Sequence, residues 1–138
     1  SSDLIGIRGP RNHHQERIEA QKAGATVITA REIKLNGWQA SIQKAIDIVS
    51  KDTDLIYVTF CSDVLDAAAN PQGPFDPCGP TSFEVAMMLH EAGKAGAGAF
   101  DFVEIYPETC GAHQSAHTAC WMALYFMNGV AQHLFANK

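Results

Sequence analysis

Leu55-Ile56-Tyr57-Val58-Thr59-Phe60 is free of charged residues and of glycine and proline, and it leads straight into Cys61-Ser62-Asp63-Val64-Leu65-Asp66. A short run of this kind reads as a strand covered on both faces, the habit of parallel sheets. The seams on either side agree. Upstream, Trp38, Ile42, Ala45, Ile46 and Val49 fall at i, i+4, i+7, i+8 and i+11, one apolar stripe of an amphipathic helix. Downstream, the stretch from Ser62 to Pro80 holds four prolines and no helix or strand pattern. Long loops in compact domains are usually functional.

Working outward, Asp3 to Arg8 alternates Leu and Ile into a strand that Gly9-Pro10 ends. Asn12 to Ala23 is helix-permitting with Ile18 as its only large apolar residue, so it belongs on the surface. Ala25 to Ala30, with Val27 and Ile28, is a second strand. Thr81 and Glu84 make a capping box for a helix carrying Phe83, Met87, Met88 and Ala92, which glycines 93, 96 and 98 should end. Ala99 to Tyr106 is a fourth strand, stopped by Pro107. A last helix near Ala112 to Ala136 is apolar around much of its circumference through Trp121, Leu124, Met127 and Leu134 and is expected to be largely covered. Strands alternating with helices over short connections predict one α/β domain over 1–138, with helices on both faces of a mainly parallel sheet.

Composition narrows the function. Ten Lys and Arg against fifteen Asp and Glu give a net charge of -5, with no basic run. Nucleic acid and anionic membrane are poor partners for such a chain. No apolar stretch approaches the roughly 18 residues of a membrane span. No secretion signal opens the sequence, and cysteines 61, 78, 110 and 120 form no C-x-x-C pair, so they read as reduced thiols in a cytoplasmic protein.

Ligands of parallel α/β sheets bind beyond the carboxyl ends of the strands. Cys61, Asp63 and Asp66 lie there, three potentially anionic groups within six residues. Hard cations seek such oxygens. Asp63 and Asp66 could equally cap or turn the loop. Glu104 interrupts Phe100, Phe102 and Tyr106 on an apolar strand, and a buried carboxylate needs something cationic to face it, a ligand or an internal Lys or Arg. Cys110, His113, His117 and Cys120 match a zinc set in composition, yet spread over roughly 15 Å of helix axis they cannot share one ion. Only His113 with His117 could chelate. The preferred reading makes those histidines surface residues near the helix start and Cys120 part of the core.

Thr59-Phe60-Cys61-Ser62-Asp63-Val64-Leu65-Asp66, followed by Pro71 and a Pro/Gly-rich run to Gly79, resembles the metal-binding strand of the ureohydrolases, the family of arginase, agmatinase and formimidoylglutamase. Leu4-Ile5-Gly6-Ile7-Arg8-Gly9, the helix from Thr81, and Asp101-Phe102-Val103-Glu104-Ile105-Tyr106-Pro107 continue the resemblance in register. It implies a three-layer α/β/α arginase-like fold, present in part. It also implies a dimanganese hydrolase that cleaves a guanidino or formimino C–N bond by attack of a metal-bound hydroxide, since two cations lower the pKa of bound water. Asp63 would then be a metal ligand. Glu104 would accept hydrogen bonds from a small cationic substrate head.

Two departures qualify the resemblance. Cys61 stands where the family carries the first carboxylate of its pair, a softer ligand that favours zinc or iron over manganese. The family's earlier His and its Asp-x-His-x-Asp strand have no counterpart in this sequence. The pattern is that of a carboxyl-terminal half, incomplete as a catalyst alone, expected to work with an amino-terminal half or partner subunit in a homo-oligomer. The alternatives are a non-catalytic relative serving assembly or regulation, and a small zinc-binding module built on His113 and His117.

Overall fold

In the computed structural model, residues 2–71, 76–106 and 112–136 are described. Strand β1 (Ser2–Ile7) is followed by α1 (His14–Lys22), β2 (Ala25–Thr29), α2 (Ala30–Asn36) and α3 (Trp38–Val49). Then come β3 (Tyr57–Cys61), a 3-10 turn (Ser62–Val64), α4 (Ser82–Lys94), β4 (Ala99–Val103) and α5 (Ala112–Ala136).

All pairing is parallel. β1 pairs with β2, Leu4 opposite Val27 and Ile5 opposite Ile28, with a register shift between Ile5 and Ile7. β3 pairs with β4 from Tyr57 opposite Ala99 to Cys61 opposite Val103. The described residues therefore form two two-stranded ladders, not the single sheet the alternation suggested. One core joins them: Ile28, Ile33 and Ile42 belong to the same buried cluster as Phe60, Leu65, Val85, Met88 and Phe126. Phe60 stacks on Phe102 at 5.2 Å, and Phe100 on Phe126 at 4.6 Å, which seats α5 against one face of the second ladder. Its opposite face is open, with Tyr57 and Val103 both exposed.

Helix α1 buries nothing, as its single large apolar residue foretold. Helix α3 buries Ile42 and Ala45 from its stripe. Helix α2 was not foreseen: Thr29 ends β2 and at once caps α2, its hydroxyl accepting from the Glu32 amide while the Glu32 carboxylate accepts from Thr29. A strand's last residue serving as the next helix's cap hides the boundary. The Thr81–Glu84 capping box forms as expected. Gly93 does not end α4 but lies buried inside it. A Cβ there would come within 2.4 Å of the Phe126 carbonyl, and one on Gly129 within 2.0 Å of the His90 carbonyl, so the two glycines let α4 and α5 meet backbone to backbone.

Two further expectations are corrected. Strand β4 stops at Val103, so Glu104 is not inside a buried strand. Helix α5 is not largely covered: α4 and Phe100 take one side, while Trp121, Leu124, Met127, Leu134 and Phe135 stay exposed. No helix among the described residues is long and apolar enough to cross a membrane.

Candidate functional site at the carboxyl ends of the second ladder

Because Cys61 lies opposite Val103, the chain leaves β3 and β4 at the same level, and the next residues, Ser62-Asp63 and Glu104, share one edge. The edge is cross-linked by two residues that sequence reasoning passed over. The Ser62 hydroxyl donates to the Glu104 carbonyl, and the buried Asn70 amide donates to the Ser62 carbonyl at 3.0 Å and to its hydroxyl at 3.2 Å. Glu104 holds φ +66, in the left-handed region that non-glycine residues seldom adopt. The bond from the Ser62 hydroxyl to its carbonyl holds that turn.

Arg8, just past β1, was quoted only as part of a motif. It is the main clamp on the loop bearing Asp63. Its Nη1 donates to the carbonyls of Asp63 (2.9 Å) and Val64 (3.1 Å), and its Nη2 to those of Leu65 and Asp76 (both 2.8 Å). Its Nε donates to Pro77 at 3.1 Å. All five N–H groups of the guanidinium are used. The only sequence signal is an Arg placed immediately after an apolar strand. Arg11 meets Asp76 at 2.5 Å on the same loop.

Asp66 takes the structural role that was weighed for it. Its carboxylate accepts from the Ala68 amide (3.0 Å) and the Gly79 amide (3.2 Å), and these amides hold its pKa below the usual carboxylate range. The loop returns so closely that a Cβ on Gly79 would lie 2.6 Å from the Asp66 nitrogen. Only glycine fits there.

Asp63 is different. Its Oδ1 is buried without a hydrogen-bond partner. Burial first, then the charge of Glu104, pushes its pKa up, while Arg8 pulls the other way. The Cys61 thiol is also raised, by burial and by the negative charges of Asp63 and Glu104. Cys61, Asp63 and Glu104 thus lie along the same strand-end edge. Among the described residues, no group of three or more His, Cys, Asp or Glu is arranged to hold a metal ion. An orphaned, partly buried carboxylate oxygen beside a second carboxylate is what a cation would relieve. The residues present would supply only part of the donors of such a site.

The burial argued for Glu104 does not hold: its side chain is exposed and accepts from the Tyr106 hydroxyl. Among the described residues no Lys or Arg forms an ion pair with it. Asp101, in the same motif, accepts from Tyr57 on the open face, and contacts with Thr59 and Tyr57 lower its pKa.

On α5, His113 and His117 are exposed as expected, and the Trp121 indole donates to His117 Nε2 at 2.7 Å, occupying a nitrogen a metal would need. Cys120 is exposed, not core. Cys110 and Pro107 lie outside the described residues. Cys61, Cys78 and Cys120 are free thiols.

Parallel strands whose carboxyl ends carry an orphaned aspartate, a thiol and a glutamate define an α/β protein with a polar strand-end edge, where such sheets place their ligands. The arginase family model matches residues 1–129, and the chain belongs to that family. It is 28% identical over 127 residues to the formimidoylglutamase of Halalkalibacterium halodurans, a match covering 91% of this chain and 40% of that protein. Among solved structures, the formimidoylglutamase of Bacillus subtilis superposes over 93% of this chain and 40% of its own, with TM-score 0.87 and 22% identity. The arginase of Bacillus subtilis gives 0.82 at 24% identity, covering 91% of this chain and 44% of its own. The agmatine ureohydrolase of Thermoplasma volcanium gives 0.78 at 23% identity, covering 99% and 44%. The fold is arginase-like and partial. The chain spans about two-fifths of the length of these proteins.

Proposed function

We propose that the chain is the carboxyl-terminal portion of a metal-dependent hydrolase acting on a guanidino or formimino C–N bond, incomplete as a catalyst alone. The observation that carries this reading is Asp63: its backbone carbonyl is held by the Arg8 clamp, and one oxygen of its carboxylate is buried and unpartnered at a strand end. Its disfavoured charge is a standing demand for a cation. Asp63, with Cys61 beside it, would hold part of a divalent metal pair, manganese or, given the thiol, zinc or iron. When bound, such a pair supplies water activated for attack at neutral pH.

Glu104 has the substrate role. Its carboxylate is exposed, fixed at the rim by the Ser62–carbonyl bond, and engaged by a tyrosine hydroxyl that a guanidinium or formimino head could displace. A planar cation with parallel N–H donors is the chemical match for a carboxylate in that position. Cytoplasmic location and homo-oligomeric assembly accompany the reading.

One observation favours a second reading, that of a non-catalytic relative working in assembly or regulation. Cys61 puts a thiol where the family carries a carboxylate, and burial raises its pKa, so a metal would have to displace its proton to bind there. Activity on arginine, agmatine and N-formimidoyl-glutamate, measured in the protein assembled with its complementary portion and manganese, separates the two. Turnover of one of the three that is lost in Glu104→Gln supports the hydrolase. No turnover, with metal absent from the folded protein, supports the second reading.

A further inference from the structure

Asn70 is only 4% exposed, in a place where an apolar side chain would leave no polar group to satisfy. Its Oδ1 is buried and has no hydrogen-bond partner. An unpaired buried acceptor opposes folding, so the reason for an amide at this position lies in its other end. There Nδ2 donates to the Ser62 carbonyl at 3.0 Å and to the Ser62 hydroxyl at 3.2 Å. The amide cannot turn over, because its oxygen would then face the Ser62 carbonyl oxygen.

A serine hydroxyl has one proton to donate and lone pairs to accept with. With Asn70 donating to it, the Ser62 hydroxyl turns its proton to the Glu104 carbonyl. The order of donation therefore runs from Asn70 through Ser62 to Glu104, and each bond polarises the next. At the receiving end, Glu104 holds φ +66, a conformation that a non-glycine residue keeps only where its surroundings enforce it. At the donating end, Asn70 closes a turn in which the Asp66 carbonyl accepts from the amides of Ala69 (2.9 Å) and Asn70 (3.1 Å). Gln114 on α5 holds the same turn from the helix side, donating to the Ala68 carbonyl at 3.0 Å. Ser62, in the middle of the relay, immediately precedes Asp63.

We infer that Asn70 is a positioning residue of the strand-end edge: through Ser62 it holds the Glu104 backbone in its left-handed turn and so fixes where the Glu104 carboxylate stands relative to Asp63. Its consequence for recognition of a guanidinium or formimino head rests on the substrate role proposed for Glu104. The relay itself stands on the hydrogen bonds alone.

The test reads the Glu104 backbone by NMR in the 138-residue chain, unaltered and as Asn70→Ala, Ser62→Ala, the double variant and Gln114→Ala. Asn70→Ala and Ser62→Ala are each expected to move the Glu104 Cα resonance from left-handed toward extended-chain values. The double variant moves it no further than Ser62→Ala alone, because Asn70 acts through that hydroxyl. Gln114→Ala removes a hydrogen bond to the same turn outside the relay and leaves the resonance in place. A resonance indifferent to Asn70→Ala, shifted as far by Gln114→Ala, or shifted additively in the double variant overturns the assignment. If Asn70→Ala does not fold, the unaltered protein decides: a Ser62 hydroxyl proton protected from exchange with water supports the relay, and one exchanging freely overturns it. Kinetics in the protein assembled with its complementary portion and manganese judge the consequence separately. Asn70→Ala is expected to raise KM about tenfold, the worth of one charge-assisted hydrogen bond, with kcat little changed. A Glu104 resonance that moves while KM stays fixed rejects the substrate role of Glu104 and leaves the relay standing. Absence of turnover in the unaltered protein counts against the hydrolase reading alone.

Discussion

Replacing Arg8 by Met keeps most of the side-chain stem and removes five hydrogen bonds at once, from the carbonyls of Asp63, Val64, Leu65, Asp76 and Pro77. Four of the five are partly buried. A hydrogen bond involving a charged group contributes about 1.5 to 3 kcal/mol, but five on one guanidinium are not additive and the freed carbonyls regain some water. A loss of about 3 kcal/mol follows, large against the roughly 5 to 15 kcal/mol of an ordinary domain. It lowers Tm by about 10 °C for a chain of this size. Urea unfolding and calorimetry measure the loss. Amide exchange at Leu65 and Asp66, whose N–H groups bond Ser62 and Pro80 within the clamped loop, should quicken in the folded protein. Arg8→Lys keeps the charge but has three donors in place of a planar fork, so it should recover only a minority of the stability. Stability of Arg8→Met within 0.5 kcal/mol of the parent, with unchanged exchange, would refute the clamp.

Further expectations concern the carboxylates and the missed cap. Asp63 has a raised folded pKa, so the ionised group opposes folding: this cost is absent below the unfolded value near 3.9 and appears as pH rises through the folded value. Asp63→Asn should therefore be the more stable protein at pH 7 and lose that advantage below about pH 4, as paired urea titrations would show. Asp66 runs the other way. Its lowered pKa gives stability present above the unfolded value and lost as pH falls through the folded one, so Asp66→Asn should be less stable at pH 7 and converge with the parent in acid. Glu104→Gln, with no buried cation to strand, should change stability by less than about 0.5 kcal/mol, and a loss of several kcal/mol in urea would revive the structural ion pair. Thr29→Ala, which removes the α2 cap, should cost about 1 kcal/mol.

The periodic features were the legible ones. The stripe of α3, the capping box of α4, four strands and a polar site where β3 and β4 end all follow from patterns that local chemistry enforces. Cys61 and Asp63 lie at the carboxyl end of β3, where a strand's direction alone puts them. What escaped depended on contacts distant in sequence. Arg8 acts on carbonyls 55 to 69 residues away, and carbonyls carry no side-chain signature. Asn70 serves the site through a backbone oxygen and a hydroxyl for the same reason. Glu104 looked buried because Phe100, Phe102 and Tyr106 extend the alternation past the point where β4 stops, and a left-handed residue leaves no trace in hydropathy. The exposure of α5 was illegible in a different way: its apolar circumference asks for cover on every side, and among the described residues Trp121, Leu124 and Met127 stay exposed.

Metal content tests the central claim most directly. The chain is produced together with its complementary portion, dialysed against manganese and then buffer, and its bound divalent ions are counted per folded chain by elemental analysis, beside Asp63→Ala treated identically. The account predicts stoichiometric metal in the parent complex and its loss in Asp63→Ala, with the isolated 138-residue chain retaining little or none. Equal metal in the parent and in Asp63→Ala, or a parent complex that folds and holds no metal at all, would contradict it.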